Sequence, residues 1–310
     1  MTGRRVAAVD CGTNTVKLLV ADLDLATGEA HELLREARMV RLGEGVDATG
    51  RLSDAALGRL FTALEEYADL VASHDVAATR FCATSAARDA RNADVFVAGV
   101  EQRLGVTPEV LSGAEEAALS FAGATRGLGE RPAPVCVVDI GGGSTEVVLG
   151  DPAGGVTAGH SLDIGSVRMT ERLMYSDPPT VEEVDTARAA IDAHLDRLAD
   201  LGVEPASART LVAVSGTGLT VAAAALGLER LDRDAVDRAR IPLDDVRAAV
   251  AMLLDLSVAE RRALPYMHPG RADVIGAGAL ILERICARTE VEELTTSVAD
   301  ILDGIAWSLS

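Results

Sequence analysis

Val135-Cys-Val-Val-Asp-Ile-Gly-Gly-Gly-Ser-Thr-Glu-Val-Val-Leu-Gly-Asp151 is the stretch whose reading decides the fold. A short apolar run ends in Asp139. Three glycines follow, then Ser144, Thr145 and Glu146, then a second apolar run. β-branched runs of this length bounded by glycine read as buried strands, so the stretch is strand, tight turn, strand. It also has a copy. Shifted back by 129 positions it lies on Val6-Ala-Ala-Val-Asp-Cys-Gly-Thr-Asn-Thr-Val-Lys-Leu-Leu-Val-Ala-Asp22, with Asp10 on Asp139, Gly12 on Gly141, Thr15 on Ser144 and Asp22 on Asp151. A repeat of so long a period predicts two duplicated domains, not a solenoid.

The chain of 310 residues has room for two domains of about 150 residues each. It is 48% hydrophobic and 25% charged, as a globular protein is, but only 3% aromatic, so its cores rest on Val, Leu and Ala. A formal net charge of -19 argues against DNA and against acidic membrane surfaces as partners. Any anionic substrate needs a local cationic lining. Lys17 is the only lysine, so arginines must supply the rest. Cys11, Cys82, Cys136 and Cys286 are far apart and read as buried reduced thiols. The first residues lead into a strand broken by Asp10, which is not a signal-peptide pattern, and the apolar stretch from Gly218 to Leu228 is too short to span a bilayer. The expectation is a cytoplasmic protein.

Outward from the two hairpins, the chain alternates strands and helices. His31 to Val40, Val76 to Ala83, Val106 to Leu111, His160 to Ile164, Leu211 to Val214 and Val291 to Ser297 read as strands. Ser53 to Val71, with Ser53 as N-cap, Asp94 to Leu104, Ser112 to Ala124, Val181 to Leu201, Leu219 to Leu228, Ile275 to Ala287 and Ala299 to Leu309 read as helices. Gly127 to Pro134, rich in Gly, Pro and charge, is the best linker. The pattern is mixed α/β, twice over.

Both turns set bare backbone N–H groups beside a carboxylate. Glycines let the chain approach an anion, successive N–H groups make an anion nest, and Asp10 and Asp139 are hard oxygen donors for Mg²⁺. One such turn alone reads first as a tight hairpin with a capping aspartate; two with the same Asp-x-Gly spacing reverse this in favour of phosphate. The copies differ where Lys17 replaces Glu146. An ammonium suits a phosphate oxygen, a carboxylate a metal or a water. In Ser112-Gly-Ala-Glu-Glu116, Ser112 and Glu115 have capping-box spacing. Glu116, turned about 100° from Glu115, is either a solvated helix glutamate or a carboxylate able to accept a proton from water. Ser85 and Arg88 in Thr84-Ser-Ala-Ala-Arg88 open a helix, either as an ordinary cap with a surface arginine or as a phosphate grip. Ser215-Gly-Thr-Gly218 poses the same choice.

These residues resemble the exopolyphosphatase/guanosine pentaphosphate phosphohydrolase (Ppx/GppA) family of the acetate kinase–sugar kinase–actin superfamily. The resemblance runs along nearly the whole chain, through Asp10-Cys-Gly-Thr-Asn14, Arg41-Leu-Gly-Glu-Gly-Val46, Ala83-Thr-Ser-Ala-Ala-Arg88, Ser112-Gly-Ala-Glu-Glu116, Asp139-Ile-Gly-Gly-Gly-Ser-Thr-Glu146, Ser215-Gly-Thr217 and His268-Pro-Gly-Arg-Ala-Asp273. It implies an α/β fold of two duplicated ribonuclease-H-like domains around a cleft, over 1–126 and 132–298, with the closing helix 299–310 packed on the first. It implies Mg²⁺-dependent release of terminal phosphate from inorganic polyphosphate, with pppGpp hydrolysis or a non-catalytic (p)ppGpp or polyphosphate sensor as alternatives. A kinase-like use of ADP or ATP is a further rival.

The resemblance also implies roles. Glu116 is the base and Glu146 the second catalytic carboxylate. Asp139, Glu146 and Asp10 hold the metal. Gly12, Thr13, Asn14, Lys17, Ser85, Arg88, Gly141, Gly142, Gly143, Ser144 and Thr145 hold phosphate. Larger members carry additional C-terminal helical domains that serve long-chain binding and dimer contacts. This sequence stops at Ser310, which turns the expectation toward short chains and leaves a homodimer open. Lys17 stands where relatives often have arginine or histidine, so the grip there is a point charge and not a fork.

Overall fold

The computed structural model describes residues 3–310, which divide into two compact units. The first comprises residues up to Leu119 together with Ile301–Ser310, the second Ser120–Asp300. The first unit holds β1 (Gly3–Cys11), β2 (Thr15–Asp24), β3 (Ala30–Met39), the single turn α1 (Val46–Thr49), α2 (Asp54–Ala72), β4 (Ala78–Ala83), α3 (Ser85–Asp89), α4 (Ala93–Leu104) and β5 (Glu109–Val110). Helix α5 (Gly113–Arg126) runs across the division. The second unit continues with β6 (Val135–Ile140), β7 (Thr145–Asp151), β8 (Gly155–Leu162), α6 (Ser166–Leu173), α7 (Val181–Leu195), β9 (Thr210–Val214), α8 (Ser215–Ala225), α9 (Arg233–Val236), β10 (Arg240–Pro242), α10 (Leu243–Asp255), α11 (Val258–Ala263), α12 (Ile275–Cys286) and β11 (Glu293–Thr296). The chain closes with α13 (Ile301–Trp307).

The duplication read from the sequence is a duplication of topology. The first sheet has the order β3-β2-β1-β4-β5, and the second β8-β7-β6-β9-β11 with β10 added at its far edge. In each, an antiparallel meander of three strands is extended by parallel strands on the side of its first strand. This is the ribonuclease-H-like arrangement, present twice. Even an irregularity is copied: the register shifts between Val20 and Ala21 in one meander and between Leu149 and Gly150 in the other, positions 129 apart. A bulge of this kind re-aims a strand end and belongs to the fold's design.

The apolar alternation of the hairpins sorts their faces. Cys136, Val138, Ile140, Val147 and Leu149 join Ile191, Val246, Leu280 and Ile281 in the helical core of the second unit. The alternate residues Asp139 and Glu146 therefore stand on the opposite face. In the first unit Val9, Val16 and Leu18 pack with Leu60, Leu64, Tyr67 and Phe96, while Val6, Ala8 and Leu19 pack with Ile301, Leu302 and Ile305 of α13.

Some boundaries differ from the sequence reading. The strand expected over 106–111 is paired only at Glu109–Val110. The long helix from Val181 keeps α geometry to Leu195 and then tightens to a 3₁₀ turn over Asp196–Leu201. Helix α8 begins at Ser215, four residues before the expected start, because Ser215 adopts a left-handed φ of 59° that turns β9 directly into it.

All four cysteines are unpaired and buried. Burial pushes the thiol pKa values of Cys82, Cys136 and Cys286 up to about 12 and that of Cys11 higher still. A thiol needs its thiolate to react. An Ellman titration of the native protein is expected to find no fast-reacting thiol, and all four after denaturation; a rapidly modified native cysteine contradicts this burial.

Candidate active site

Register places the Lys17/Glu146 exchange at the most telling position available. Asp10 pairs directly with Lys17 across β1 and β2, and Asp139 directly with Glu146 across β6 and β7. Directly opposite residues share a face, with Cβ atoms about 4.5–5.5 Å apart. In the first unit the Lys17 ammonium lies 3.4 Å from Asp10 Oδ2. In the second, two carboxylates stand together, with residue exposures of 6% for Asp139 and 2% for Glu146. Two negative charges about 5 Å apart at an effective dielectric near 20 repel by about 3 kcal/mol, a term that a dication reverses. Asp139 Oδ2 accepts from Ser120 Oγ at 3.1 Å, and Glu146 Oε1 accepts from Ser161 Oγ at 2.7 Å.

No group of three or more His, Cys, Asp or Glu side chains among the described residues is arranged to hold a metal ion. The donor set nevertheless suits Mg²⁺, which usually takes one or two carboxylates and completes its shell with water and substrate phosphate. A buried, facing Asp–Glu pair is that kind of half-site.

Each turn closes in the same way. Gly12 N donates to Thr15 O and Gly141 N to Ser144 O, both at 3.0 Å. These two amides therefore serve to close their turns. The direction of the next amides is set by what lies behind the turn. Ser166 N donates to Gly141 O, Val167 N and Arg168 N to Gly142 O, and Arg168 Nε to Gly143 O at 2.8 Å. The start of α6 thus holds three successive carbonyls on one side. In a trans peptide the following N–H points the opposite way, so the amides of Gly142, Gly143 and Ser144 face away from α6 together, as a nest does. Gly165 makes this possible: a Cβ there would sit 2.5 Å from the backbone of Gly142. Thr145 serves the turn from inside. Its side chain is fully buried and its hydroxyl donates to Ile164 O at 2.7 Å.

In the first unit, Gly43 N donates to Thr13 O, and Val40 N and Arg41 N to Asn14 O. The Arg41–Val46 loop thus grips the first turn as α6 grips the second. A Cβ on Gly43 would lie 2.3 Å from Thr13 Cγ2. Thr13 Oγ1 and Ser85 Oγ are 2.9 Å apart and buried, joining the two loops expected to meet phosphate. Lys17 borders the same turn.

Helix α5 settles the question left open at Glu115 and Glu116. Glu115 Oε2 accepts from Ser112 N and Oγ, and Glu115 N donates to Ser112 Oγ, a reciprocal cap. The Ser112 hydroxyl, followed by its amide, lowers the Glu115 pKa. Glu116 is not part of that cap and is no solvated glutamate: it is 5% exposed, and its Oε2 accepts from Arg88 Nη1 at 3.0 Å. Arg88 Nη1 also donates to Leu111 O, so the arginine orients Glu116 against the end of β5.

In the second unit Thr217 Oγ1 donates to Ile140 O, Ser215 Oγ to Asp300 Oδ2 and Arg271 Nη1 to Thr220 Oγ1. Burial pulls the Arg271 pKa down to about 10. Four contributors escaped the sequence reading: Ser120, Ser161, Gly165 and Arg168. Ser120 carried a signal, standing one helical turn after Glu116. Ser161 required the β7–β8 register, and Gly165 and Arg168 required the packing of α6 on the turn.

Known proteins match nearly the whole chain. The sequence profile of the Ppx/GppA phosphatase family matches residues 21–309. The chain is 48% identical over 318 aligned residues to Exopolyphosphatase 2 of Mycobacterium tuberculosis, covering 99% of this chain and 98% of that one. It is 30% identical over 306 residues to Exopolyphosphatase 1 of Mycobacterium bovis, covering 97% and 87%. Among solved structures it superimposes on an exopolyphosphatase-like protein with a TM-score of 0.95 at 41% identity, covering 100% and 98%. It superimposes on the Aquifex aeolicus Ppx/GppA family member with a TM-score of 0.83 at 29% identity, covering 99% and 98%.

Proposed function

Because the chain belongs to the Ppx/GppA phosphatase family, we propose that it is a divalent-cation-dependent exopolyphosphatase that releases terminal orthophosphate from short inorganic polyphosphates in the cytoplasm. The observation that carries this reading is the facing of Asp139 and Glu146 at the turn whose Gly141, Gly142 and Gly143 carbonyls are held by α6. Phosphoryl transfer asks mainly for positioning and charge stabilisation, and each residue fits one of those tasks.

Glu116, held by Arg88, orients the attacking water and takes its proton. The amides of Gly142, Gly143 and Ser144 offer the second unit's phosphate site, and those of Thr13 and Asn14 offer the first unit's. Lys17 adds a point charge and Ser85 a hydroxyl. Arg88 commits Nη1 to Glu116 and presents its remaining N–H groups to phosphate. In the second unit Asp139 and Glu146 would hold Mg²⁺. A bound Mg²⁺ supplies charge neutralisation on the phosphate oxygens.

The test is phosphate release across polyphosphates of defined length, with pppGpp and with polyphosphate plus ADP as parallel arms. Mg²⁺-dependent orthophosphate from short polyphosphate, lost on chelation, is expected. Release from pppGpp alone, or ATP formation without orthophosphate, overturns the assignment.

A further inference from the structure

The second unit carries a cavity of about 480 Å³ away from its Asp139–Glu146 pair. Thr210, the first residue of β9, lines it together with Thr295 of β11 and Arg240 of β10. Asp139 is paired with Val214, at the other end of β9, which is about 13 Å from Thr210 along the strand. Arg131, from the segment joining α5 to β6, and Arg209, just before β9, also line the cavity. That segment is tied down. Pro134 O accepts from Arg209 N at 2.8 Å and from Thr210 N at 3.4 Å, and Pro132 O accepts from Thr210 Oγ1 at 2.9 Å. Arg131 and Arg209 are thereby held beside one another.

The charges of this cavity are not matched in pairs. Arg240 forms an ion pair with Glu293. Arg131 and Arg209 form none among the described residues. Arg131 Nη1 donates to the carbonyl of its neighbour Glu130 at 3.2 Å, and Arg131 Nε is shut off from solvent with no hydrogen-bond partner. Native proteins keep few buried donors unmet, and each calls for an explanation such as an ion that meets it. The Arg209 side chain is exposed and makes no hydrogen bond among the described residues. Glu130 and Glu292 border the cavity too, but both are exposed and neither is paired with either arginine.

We propose that this cavity is a second, non-catalytic anion site, which takes a phosphoryl group between Arg131 and Arg209, either as free orthophosphate or as the end of a short oligophosphate. A guanidinium fork matches phosphate oxygens in pairs. A tetrahedral phosphoryl group can turn oxygens toward donors on separate chain segments, whereas a carboxylate offers two oxygens in one plane. Two unpaired arginines suit a small ligand, and Glu130 and Glu292 at the border stand against a long polyanion. The site shares no residue with the proposed catalytic machinery and does not depend on that reading.

The experiment is arginine footprinting of the full chain with phenylglyoxal, mapped by peptide mass spectrometry. It is run in a chelator with no added metal and with orthophosphate, tripolyphosphate or acetate at matched ionic strength. Arg209, exposed and unpaired, should label readily, and either phosphate should slow that labelling while acetate does not. The phosphate that protects at the lower concentration identifies the source. In Arg131→Ala, Arg209 should still label, and its protection should need about 10–100-fold more phosphate, the scale of a lost hydrogen bond to a charged group. Failure of both phosphates to protect Arg209 in the native chain, or equal protection by acetate, overturns the phosphoryl site, and these arms decide it even if the variant misfolds. Undiminished protection in a folded Arg131→Ala overturns the two-arginine site. Labelling needs no turnover, so either result stands whatever the chain hydrolyses.

Discussion

Glu116→Gln is expected to fold as the native chain does and to lose phosphate release by about 10²–10⁴-fold, the usual contribution of a general base. That loss corresponds to about 3–5.5 kcal/mol in the activation barrier. The structure says why the fold survives. Glutamine keeps the shape of glutamate, and its carbonyl oxygen can still accept the Arg88 Nη1 hydrogen bond now made to Glu116 Oε2. The capping of α5 is untouched, since that belongs to Ser112 and Glu115. The loss should fall on kcat, because the carboxylate acts on water in the transition state and not on the polyphosphate in the ground state. Circular dichroism and phosphate-release kinetics, measured on one preparation, check both halves. A folded variant with near-native turnover would remove Glu116 from the mechanism.

Gly165→Ala should also be severe, for a different reason. An added Cβ would lie 2.5 Å from the carbonyl carbon and oxygen of Gly142 and 2.7 Å from the carbonyl carbon of Gly143. Carbon atoms settle at about 3.5–4.0 Å, so about 1 Å of separation must open between α6 and the turn. No flexible side chain is there to yield, because both partners are backbone. Overpacking of this kind costs about 1–3 kcal/mol, or about 2–4 °C of melting temperature per kcal/mol for a unit of this size. The functional loss should be larger in proportion. The same movement pulls the Gly141, Gly142 and Gly143 carbonyls from Ser166, Val167 and Arg168, and with them the directions of the outward amides. A misplacement near 1 Å is enough for about 10²-fold in rate. Thermal melting and kinetics together decide it. A variant with lowered stability but native kcat would show that the turn is not part of the phosphate site.

The two variants mark the border between what is local and what is not. The hairpins, their duplication and the Lys17/Glu146 exchange are legible in the chain because a tight turn fixes the pairing of its own two strands. Four residues, Gly141 to Ser144, join Asp139's strand to that of Glu146, and with the turn closed these two must oppose each other. The cap at Ser112 and Glu115 is equally local, and it left Glu116 open between a solvated glutamate and a proton acceptor. Helix and strand types followed from apolar period, since the buried face of each element is written into its own residues.

What the chain did not disclose lies in contacts between elements. Arg88 reaches Glu116 across 28 residues, Ser120 reaches Asp139 across 19 and Thr13 meets Ser85 across 72. Nothing in the local pattern of either partner announces the other. Motif spacing at Gly12, Gly141 and Thr145 reports which residues are near a turn, not which way an amide or hydroxyl points. Direction is set by the elements packed behind the turn. The grip of α6 on three carbonyls turns three amides outward and leaves Gly141 to close the hairpin. The sequence by itself determined that this protein is built twice over from one α/β hairpin unit, and that its copies differ in charge at one position. Only the tertiary structure decided which groups face outward and which are held in reserve by neighbours, because packing forces that come from distant segments choose the orientation of each peptide plane and each hydroxyl.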